Sequence, residues 1–377
     1  MIPGRANNNS PAFLFEKKLN KMVQLSHSKH IKLVNDYKAA ASTASLKYVN
    51  DKDPGIERIK EGDNFLYLWQ QKKVTDKNEL ERIKKLAIPP AWSKVWVCIN
   101  ANGHIQATGY DARERKQYRY HALWNVLRNE TKFHKLLEFG KVLPALRLQV
   151  EKDLSLKELS DRKVIALVIS LMERTYIRIG NASYEKMNGS HGITTLHDKH
   201  VNIEGDKISF SFKGKKSIHH DITLKNRKLA KAVQQCRDIP GKELFQYYSK
   251  YNQRKSIDSG MVNGYIQQAT GVVFTAKDFR TWAGCLHVLM AFKNMELPAN
   301  ETTLKKNINE ALDYVSSHLG NTRLVCKKYY VHPGIIQLYQ DSKLDTYLRQ
   351  LNNIEIDDNI TWLTKEENVL LKLLAKL

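Results

Sequence analysis

The spacing of apolar residues changes along this chain, and the changes predict its elements. Residues 1–55 are mostly polar; N-N-N-S at Asn7–Ser10 reads as a frayed tail, and Ala39–Ala44 as a helical turn or a linker. From Gly62 the pattern tightens. Phe65–Trp69 is a run of β-formers and predicts a strand. Asp76 is placed to cap a helix through Leu86, along which Leu80, Ile83 and Leu86 recur at helical spacing. Ile88-Pro89-Pro90-Ala91-Trp92 closes that helix, because proline cannot continue it. Val95–Ile99 and Ile105–Gly109 predict two further strands around the Asn102-Gly103 turn signal.

Beyond Trp124 the period becomes helical. Phe133, Leu136, Leu137 and Phe139 predict one helix stopping near Gly140, and Pro144 a new start with Leu146 and Val150 on its apolar face. Asp161 is placed to cap a buried helix through Ile177, with Val164, Val168, Leu171 and Met172 at i, i+4, i+7 and i+8. Arg178-Ile179-Gly180-Asn181 then reads as its C-cap. Thr194–Leu196 and His200–Ile203 read as short extended segments. Lys207–Phe212 alternates apolar and polar residues as a half-buried strand does, and Ser217–Leu224 returns from a tip at Gly214–Lys216 that gathers Lys213, Lys215 and Lys216. Residues 225–320 read as helical again, with Asn263–Gln268, Thr281–Phe292 and Thr303–His318 the clearest stretches, and Lys365–Leu377 is amphipathic.

These elements predict an α+β protein. Residues 1–55 form an N-terminal extension, partly disordered or helical; 56–121 a small β-rich domain; 122–340 a larger, mainly α-helical domain with a β-hairpin insert at 194–224; and 341–377 a C-terminal helical extension.

Charge narrows the partners. Lysine and arginine number 61 against 39 acids, a formal net charge of +22, which favours polyanions: nucleic acid first, an anionic membrane second. The longest apolar run, Val164–Met172, is too short to span a bilayer, and the first residues lack the apolar core of an export signal. The four cysteines are far apart and form no C-x-x-C, so neither a disulfide framework nor a zinc ribbon is expected, and a reducing compartment fits. The thirteen histidines are scattered, His219-His220 included, and none reads as a metal ligand.

Candidate chemistry gathers at His318–Gly334, H-L-G-N-T-R-L-V-C-K-K-Y-Y-V-H-P-G, where Tyr329 and Tyr330 stand among Arg323, Lys327 and Lys328. Such a tyrosine is core, aromatic platform or nucleophile. As a nucleophile it is protonated at neutral pH and needs cations around its electrophile. Asp111–His121 interleaves Arg113, Arg115, Lys116 and Arg119 with Tyr118 and Tyr120, which suits phosphates and bases or a solvated loop. Lys277 and Arg280, three apart, share a face if their segment is helical.

Four separated blocks together resemble the type IB DNA topoisomerases of the bacterial and poxvirus-like kind: R-I-G-N at Arg178, F-K-G-K with Lys215, K-D-F-R-T-W-A at Arg280, and L-G-N-T…Y-V-H-P ending in Tyr330. The resemblance reaches upstream to R-K-Q-Y-R-Y (Arg115–Tyr120) and I-P-P-A-W, and covers roughly residues 60–340. Each block is weak alone; their order is what makes the likeness specific. It implies that Tyr330 attacks a DNA phosphodiester, giving a 3′-phosphotyrosyl link and a free 5′-hydroxyl that reseals the nick after strand rotation. It further implies that Arg178 and Arg280 clamp the non-bridging oxygens, that Lys215 protonates the departing 5′-oxygen, and that Asn321 stands where viral and nuclear members carry histidine. An amide donates a hydrogen bond but is no base near pH 7, so the Tyr330 proton is left to water or the substrate phosphate. Arg115, Lys116, Gln117, Tyr118, Tyr120, Tyr184 and Lys277 are the DNA contacts implied, and of the two tyrosines only one is expected to face the phosphate.

The same resemblance implies double-stranded DNA as partner, bound by a monomer acting as a clamp. It implies no required cofactor, neither ATP nor metal, with Mg²⁺ at most stimulating. It also implies a cytoplasmic, nucleoid-associated protein that is not secreted. A tyrosine site-specific recombinase shares most of this plan, although recombinases usually carry His-x-x-Arg where this chain has Lys277-x-x-Arg280. A non-catalytic basic nucleic-acid-binding protein is the alternative from another class.

Overall fold

The structure, a computed structural model, describes residues 25–351 and 361–377; the predicted N-N-N-S tail lies outside them. The chain divides into two compact units, Met1–Lys135 and Leu136–Leu377. The division falls inside a helix, beyond the domain boundary expected at residue 121.

In the first unit, helices α1 (His27–Lys32) and α2 (Tyr37–Thr43) precede strands β1 (Ile56–Glu61), β2 (Asn64–Trp69) and β3 (Lys72–Lys73). Helix α3 (Lys77–Lys85) follows, capped by the Asp76 carboxylate on the Asn78 N–H. Strands β4 (Ser93–Val97), β5 (Ile105–Tyr110) and β6 (Lys116–Tyr120) complete a six-stranded antiparallel sheet of order β3-β2-β1-β4-β5-β6. Gly62, at φ +59°, supplies the left-handed residue of the tight β1–β2 turn. Ile56, Val95, Val97 and Ala107 from the sheet bury Ile83 of α3. The Asp111–His121 run is therefore not a loop: its second half is the sheet's edge strand.

Helix α4 (Ala122–Leu154) continues without a break through Gly140 and Pro144, contrary to the expected stop and restart. Gly140 is not a cap. A Cβ there would lie 2.5 Å from the Trp282 ring, so glycine permits close packing.

In the second unit, α5 (Asp161–Thr175) is capped by Ser160 rather than Asp161, through its hydroxyl on the Lys163 N–H. It ends at Tyr176 in the left-handed region, φ 55°, not at Gly180-Asn181. Asn181 instead caps the next helix, α6 (Ala182–Asn188). Thr194 and Thr195 lie in a 3-10 turn, not a strand. Strands β7 (Val201–Glu204), β8 (Lys207–Lys213) and β9 (His219–Lys225) form an antiparallel meander, and the β8–β9 connection carries Lys215. After α7 (Arg227–Arg237) a short ladder of β10 (Gln246–Tyr248) and β11 (Arg254–Ser256) interrupts a region read as wholly helical. Then come α8 (Ser259–Thr270), α9 (Ala276–Lys293), α10 (Glu301–Leu319), α11 (Arg323–Tyr329), α12 (Pro333–Gln340), α13 (Asp345–Leu348) and α14 (Lys365–Leu374). One large core joins α5, α9, α10 and α14 through Val164, Leu167, Val288, Leu289, Leu312 and Leu370. Among the described residues, no helix is long and apolar enough to cross a membrane.

Candidate active site

Three local devices bring distant cations to Tyr330. The first is the turn after α5. Tyr176 adopts its left-handed conformation at a cost of order 1 kcal/mol, and its carbonyl accepts from an Arg280 Nη. Arg178 follows two residues later. The second is the start of α9, where the Thr275 N–H donates to Asp278 Oδ2 at 2.8 Å and closes a capping box. That places Lys277 and Arg280 in the helix's first turns. The third is the α10–α11 turn. Gly320, φ +55°, ends α10, and Thr322 caps α11, whose far end delivers Tyr330.

The result is a cavity of about 540 Å³ lined by Arg178, Lys215, Lys277, Arg280, Asn321 and both tyrosines, among others. Arg280 is buried and stiffly held. One Nη meets the Tyr176 carbonyl, the other donates to the Leu319 carbonyl at 2.6 Å, and the guanidinium carbon lies 5.2 Å from the Tyr330 ring centre. Its Nε is buried and has no hydrogen-bond partner among the described residues. A buried cationic N–H is costly unless an anion meets it. Arg178 donates to the Gly320 carbonyl at 2.9 Å and to Asn321 Oδ1. Asn321 Nδ2 donates to the Leu319 carbonyl at 3.2 Å, leaving its second N–H.

The electrostatics favour a reactive phenol. Burial alone would push the Tyr330 hydroxyl above its usual 10, but Arg280, then Arg178 and Lys277, outweigh it and hold it lower. Burial and the neighbouring Arg280 push the Arg178 guanidinium down to about 10, still charged at neutral pH. Lys215 sits exposed at the meander tip, in a turn where Lys216 and Ser217 both take positive φ.

Both tyrosines line the cavity. They differ in setting. Tyr330 is half-buried under Arg280, whereas Tyr329 is exposed with Lys328 over its ring.

The remaining candidates lie elsewhere. Tyr184 is exposed on α6. Lys116, Tyr118 and Tyr120 share the exposed face of β6, with the two rings stacked at 5.7 Å. Gln117 points to the other face and donates to Asp111, which also pairs with Arg115 at 2.7 Å, and Lys116 pairs with Asp51. These cations are partly neutralised within the chain.

Sequence reasoning missed two supporting residues. Gly284 of α9 lets the Tyr330 backbone approach: a Cβ there would lie 2.7 Å from the Tyr330 carbonyl oxygen. His220 of β9 stacks on Phe212 and fills the space that Cβ atoms at Gly214 and Gly320 would occupy, so it wedges the Lys215 tip against the Asn321 turn. The glycine of L-G-N-T was the only sequence signal for that contact.

A tyrosine beneath fixed cations, on a helical scaffold, has what nucleophilic attack on a phosphodiester requires. Comparison with known proteins gives the family. Residues 116–357 match the family described as eukaryotic DNA topoisomerase I, catalytic core, and residues 64–111 match the bacterial DNA topoisomerase IB N-terminal domain. The chain is 34% identical to DNA topoisomerase 1B of Acanthamoeba polyphaga mimivirus over 312 residues, 80% of this chain and 92% of that protein. It is 25% identical to DNA topoisomerase 1B of Vaccinia virus (strain Copenhagen) over 236 residues, 62% of this chain and 72% of that one. The chain belongs to the type IB DNA topoisomerases.

Proposed function

We propose that Tyr330 is the nucleophile of a type IB relaxation cycle on duplex DNA. Its phenolic oxygen attacks a backbone phosphorus and the bond to the 5′-oxygen breaks, leaving a 3′-phosphotyrosyl link and a free 5′-hydroxyl. Rotation of the nicked strand follows, and the hydroxyl attacks the link to restore the backbone and the phenol. The link conserves the phosphodiester bond energy, so neither ATP nor a metal ion is required, and Mg²⁺ at most stimulates.

The observation that carries this reading is the convergence of Arg178, Lys215, Lys277, Arg280 and Asn321 on Tyr330 in one cavity. Arg178 and Arg280 hold the charge that builds on the non-bridging oxygens, and the Arg280 Nε–H, which has no partner among the described residues, is one donor for it. Lys215 protonates the leaving 5′-oxygen. Asn321 orients Arg178 through Oδ1 and offers its remaining N–H to the phosphate. The chain works as a monomer that clamps DNA, with Lys116, Tyr118, Tyr120 and Tyr184 as contacts. Its four buried free cysteines suit a reducing, cytoplasmic setting.

Denaturant-trapped protein–DNA adducts test this. Peptide mapping is expected to find DNA on Tyr330, with Tyr330→Phe forming no adduct and Tyr329→Phe retaining it. An adduct on Tyr329, or relaxation that survives Tyr330→Phe, would overturn the assignment. Supercoiled plasmid without paired recognition sites, ATP or metal is expected to relax; a demand for paired sites would point to a recombinase.

A further inference from the structure

Outside the catalytic cavity, three histidines of one short segment, His191, His197 and His200, come together in space. One ring nitrogen from each of His191, His197 and His200 lies within 4.8 Å of the others. The rings are 4.4–5.1 Å apart, centre to centre. Their spacing, His-x5-His-x2-His, comes from one short segment whose 3-10 turns, Ile193–Thr195 and Asp198–His200, fold it back on itself.

The surroundings of two of these rings are those of metal ligands. His191 donates its Nδ1–H to the Thr195 carbonyl at 2.6 Å, which leaves Nε2 with its lone pair. His197 is buried, and its Nε2–H donates to Glu185 Oε1 at 2.7 Å, which leaves Nδ1. A carbonyl or carboxylate on the far nitrogen is what fixes the tautomer and raises the basicity of a ligating imidazole. His200 differs. Its Nδ1 accepts the His197 backbone N–H at 3.0 Å, so it binds an ion through Nε2 only by exchanging that bond for an Nδ1–H tautomer.

We propose that His191, His197 and His200 form a binding site for a divalent transition metal, Zn²⁺ foremost, with Glu185 orienting His197. Three imidazoles suit zinc far better than magnesium or calcium, which take oxygen ligands. Zn–N bonds of about 2.05 Å in a tetrahedral site put nitrogens about 3.3 Å apart, so the rings close in by up to about 1.5 Å on the ion.

The ion's role is structural. None of the three histidines lines the catalytic cavity. Yet their segment supports its parts through the backbone: the His191 N–H donates to the Lys213 carbonyl at 2.8 Å, at the base of the Lys215 tip. The Ile193 and Thr194 N–H groups donate to the Arg178 and Ile179 carbonyls at 2.7 and 2.8 Å. A metal there ties α6, the Arg178 turn and the β8 end into one piece.

The test uses the full chain stripped with chelator, then titrated with Zn²⁺ by calorimetry and with Co²⁺ by absorption. One equivalent of Zn²⁺ is expected, with visible Co²⁺ bands of a four-coordinate site and a raised thermal midpoint. His191→Ala/His200→Ala, checked by circular dichroism for an intact fold, is expected to lose that equivalent. Glu185→Gln is expected to weaken it about 10–100-fold. If the unaltered chain takes up no Co²⁺ or Zn²⁺, the proposal fails whatever the variants do. Undiminished uptake by a folded double variant would place the ion on other histidines and overturn it equally.

Discussion

Asn321 stands at the junction of two functions, because its amide holds Arg178 with one end and faces the cavity with the other. Asn321→Ala therefore removes a donor and one of the two contacts that hold Arg178, the Gly320 carbonyl remaining. The expected loss in single-turnover cleavage is about 10²-fold or more, the cost of one oxyanion donor, with little loss of DNA affinity. A loss seen mainly in affinity would make Asn321 a binding residue instead. Lys215→Ala removes a proton donor and a charge together, and the leaving group of the DNA separates the two. Its removal is expected to slow cleavage by about 10²–10⁴-fold, the usual contribution of general acid catalysis. DNA whose leaving oxygen is replaced by sulfur needs no such proton and should recover most of that rate. Equal losses on both substrates would leave Lys215 as a phosphate contact. For Tyr330, the cations that lower its pKa work against burial, so removing Lys277 should move the alkaline rise of cleavage to higher pH.

At the scale of elements, close approaches position the site. Gly284→Ala puts a methyl group against the Tyr330 backbone. Alanine is the better helix former by about 1 kcal/mol, which offsets only part of the roughly 1–3 kcal/mol cost of overpacking, so the thermal midpoint is expected to fall modestly. Cleavage should fall, since a shift near 1 Å costs about 10²-fold. If cleavage were unchanged, Tyr330 would not depend on that contact. These contacts also mark how far the sequence was legible. Alternation along Lys207–Phe212 and the helical period of Val164–Met172 predicted β8 and α5, because each buries one face in a repeating pattern. The ordered blocks around Arg178, Lys215, Arg280 and Tyr330 named the residues now found together. Gly140 and Pro144 read as a helix break because local rules do not reveal that Trp282 packs against Gly140. Likewise, the shared cavity of Tyr329 and Tyr330 follows from where α11 ends, and the histidine cluster from two 3-10 turns without periodicity.

The C-terminal helix is pinned by charge as well as by apolar packing. Arg147 pairs with Glu367 at 2.8 Å and with Glu173 at 2.7 Å, and Trp282 Nε1 donates to Glu367 at 3.0 Å. Burial alone would raise the Glu367 pKa; Arg147 and Trp282 overcome it and hold it below the usual 4.5. A carboxylate lowered on folding stabilises fully above its unfolded value and loses that contribution as pH falls through the folded one. Stability is therefore expected to hold down to about pH 4.5 and decline below it. Glu367→Ala leaves Arg147 with Glu173 and the Trp362 carbonyl but strips the Trp282 Nε1–H of its acceptor; it should cost about 1–3 kcal/mol by urea unfolding at pH 7 and flatten the acid decline. An acid profile unchanged in the variant would assign that decline to other carboxylates.

For the whole molecule, the net charge of +22 acts on every encounter with DNA. Each phosphate neutralised releases counterions, so affinity falls steeply with salt. Relaxation requires both capture and release, and salt moves them in opposite directions. At low salt, release of relaxed plasmid is slow and limits turnover; at high salt, capture fails. The steady-state rate is therefore expected to rise to a maximum at moderate salt and then fall, whereas single-turnover cleavage on saturating DNA stays nearly flat up to that maximum. Lys277→Ala removes one cavity-lining cation, so its log affinity should depend on log salt with a slope smaller by about 1. A steady-state rate indifferent to salt would mean that fixed charge does not govern the encounter, and that the phosphate contacts assigned to Lys116 and Lys277 are wrong.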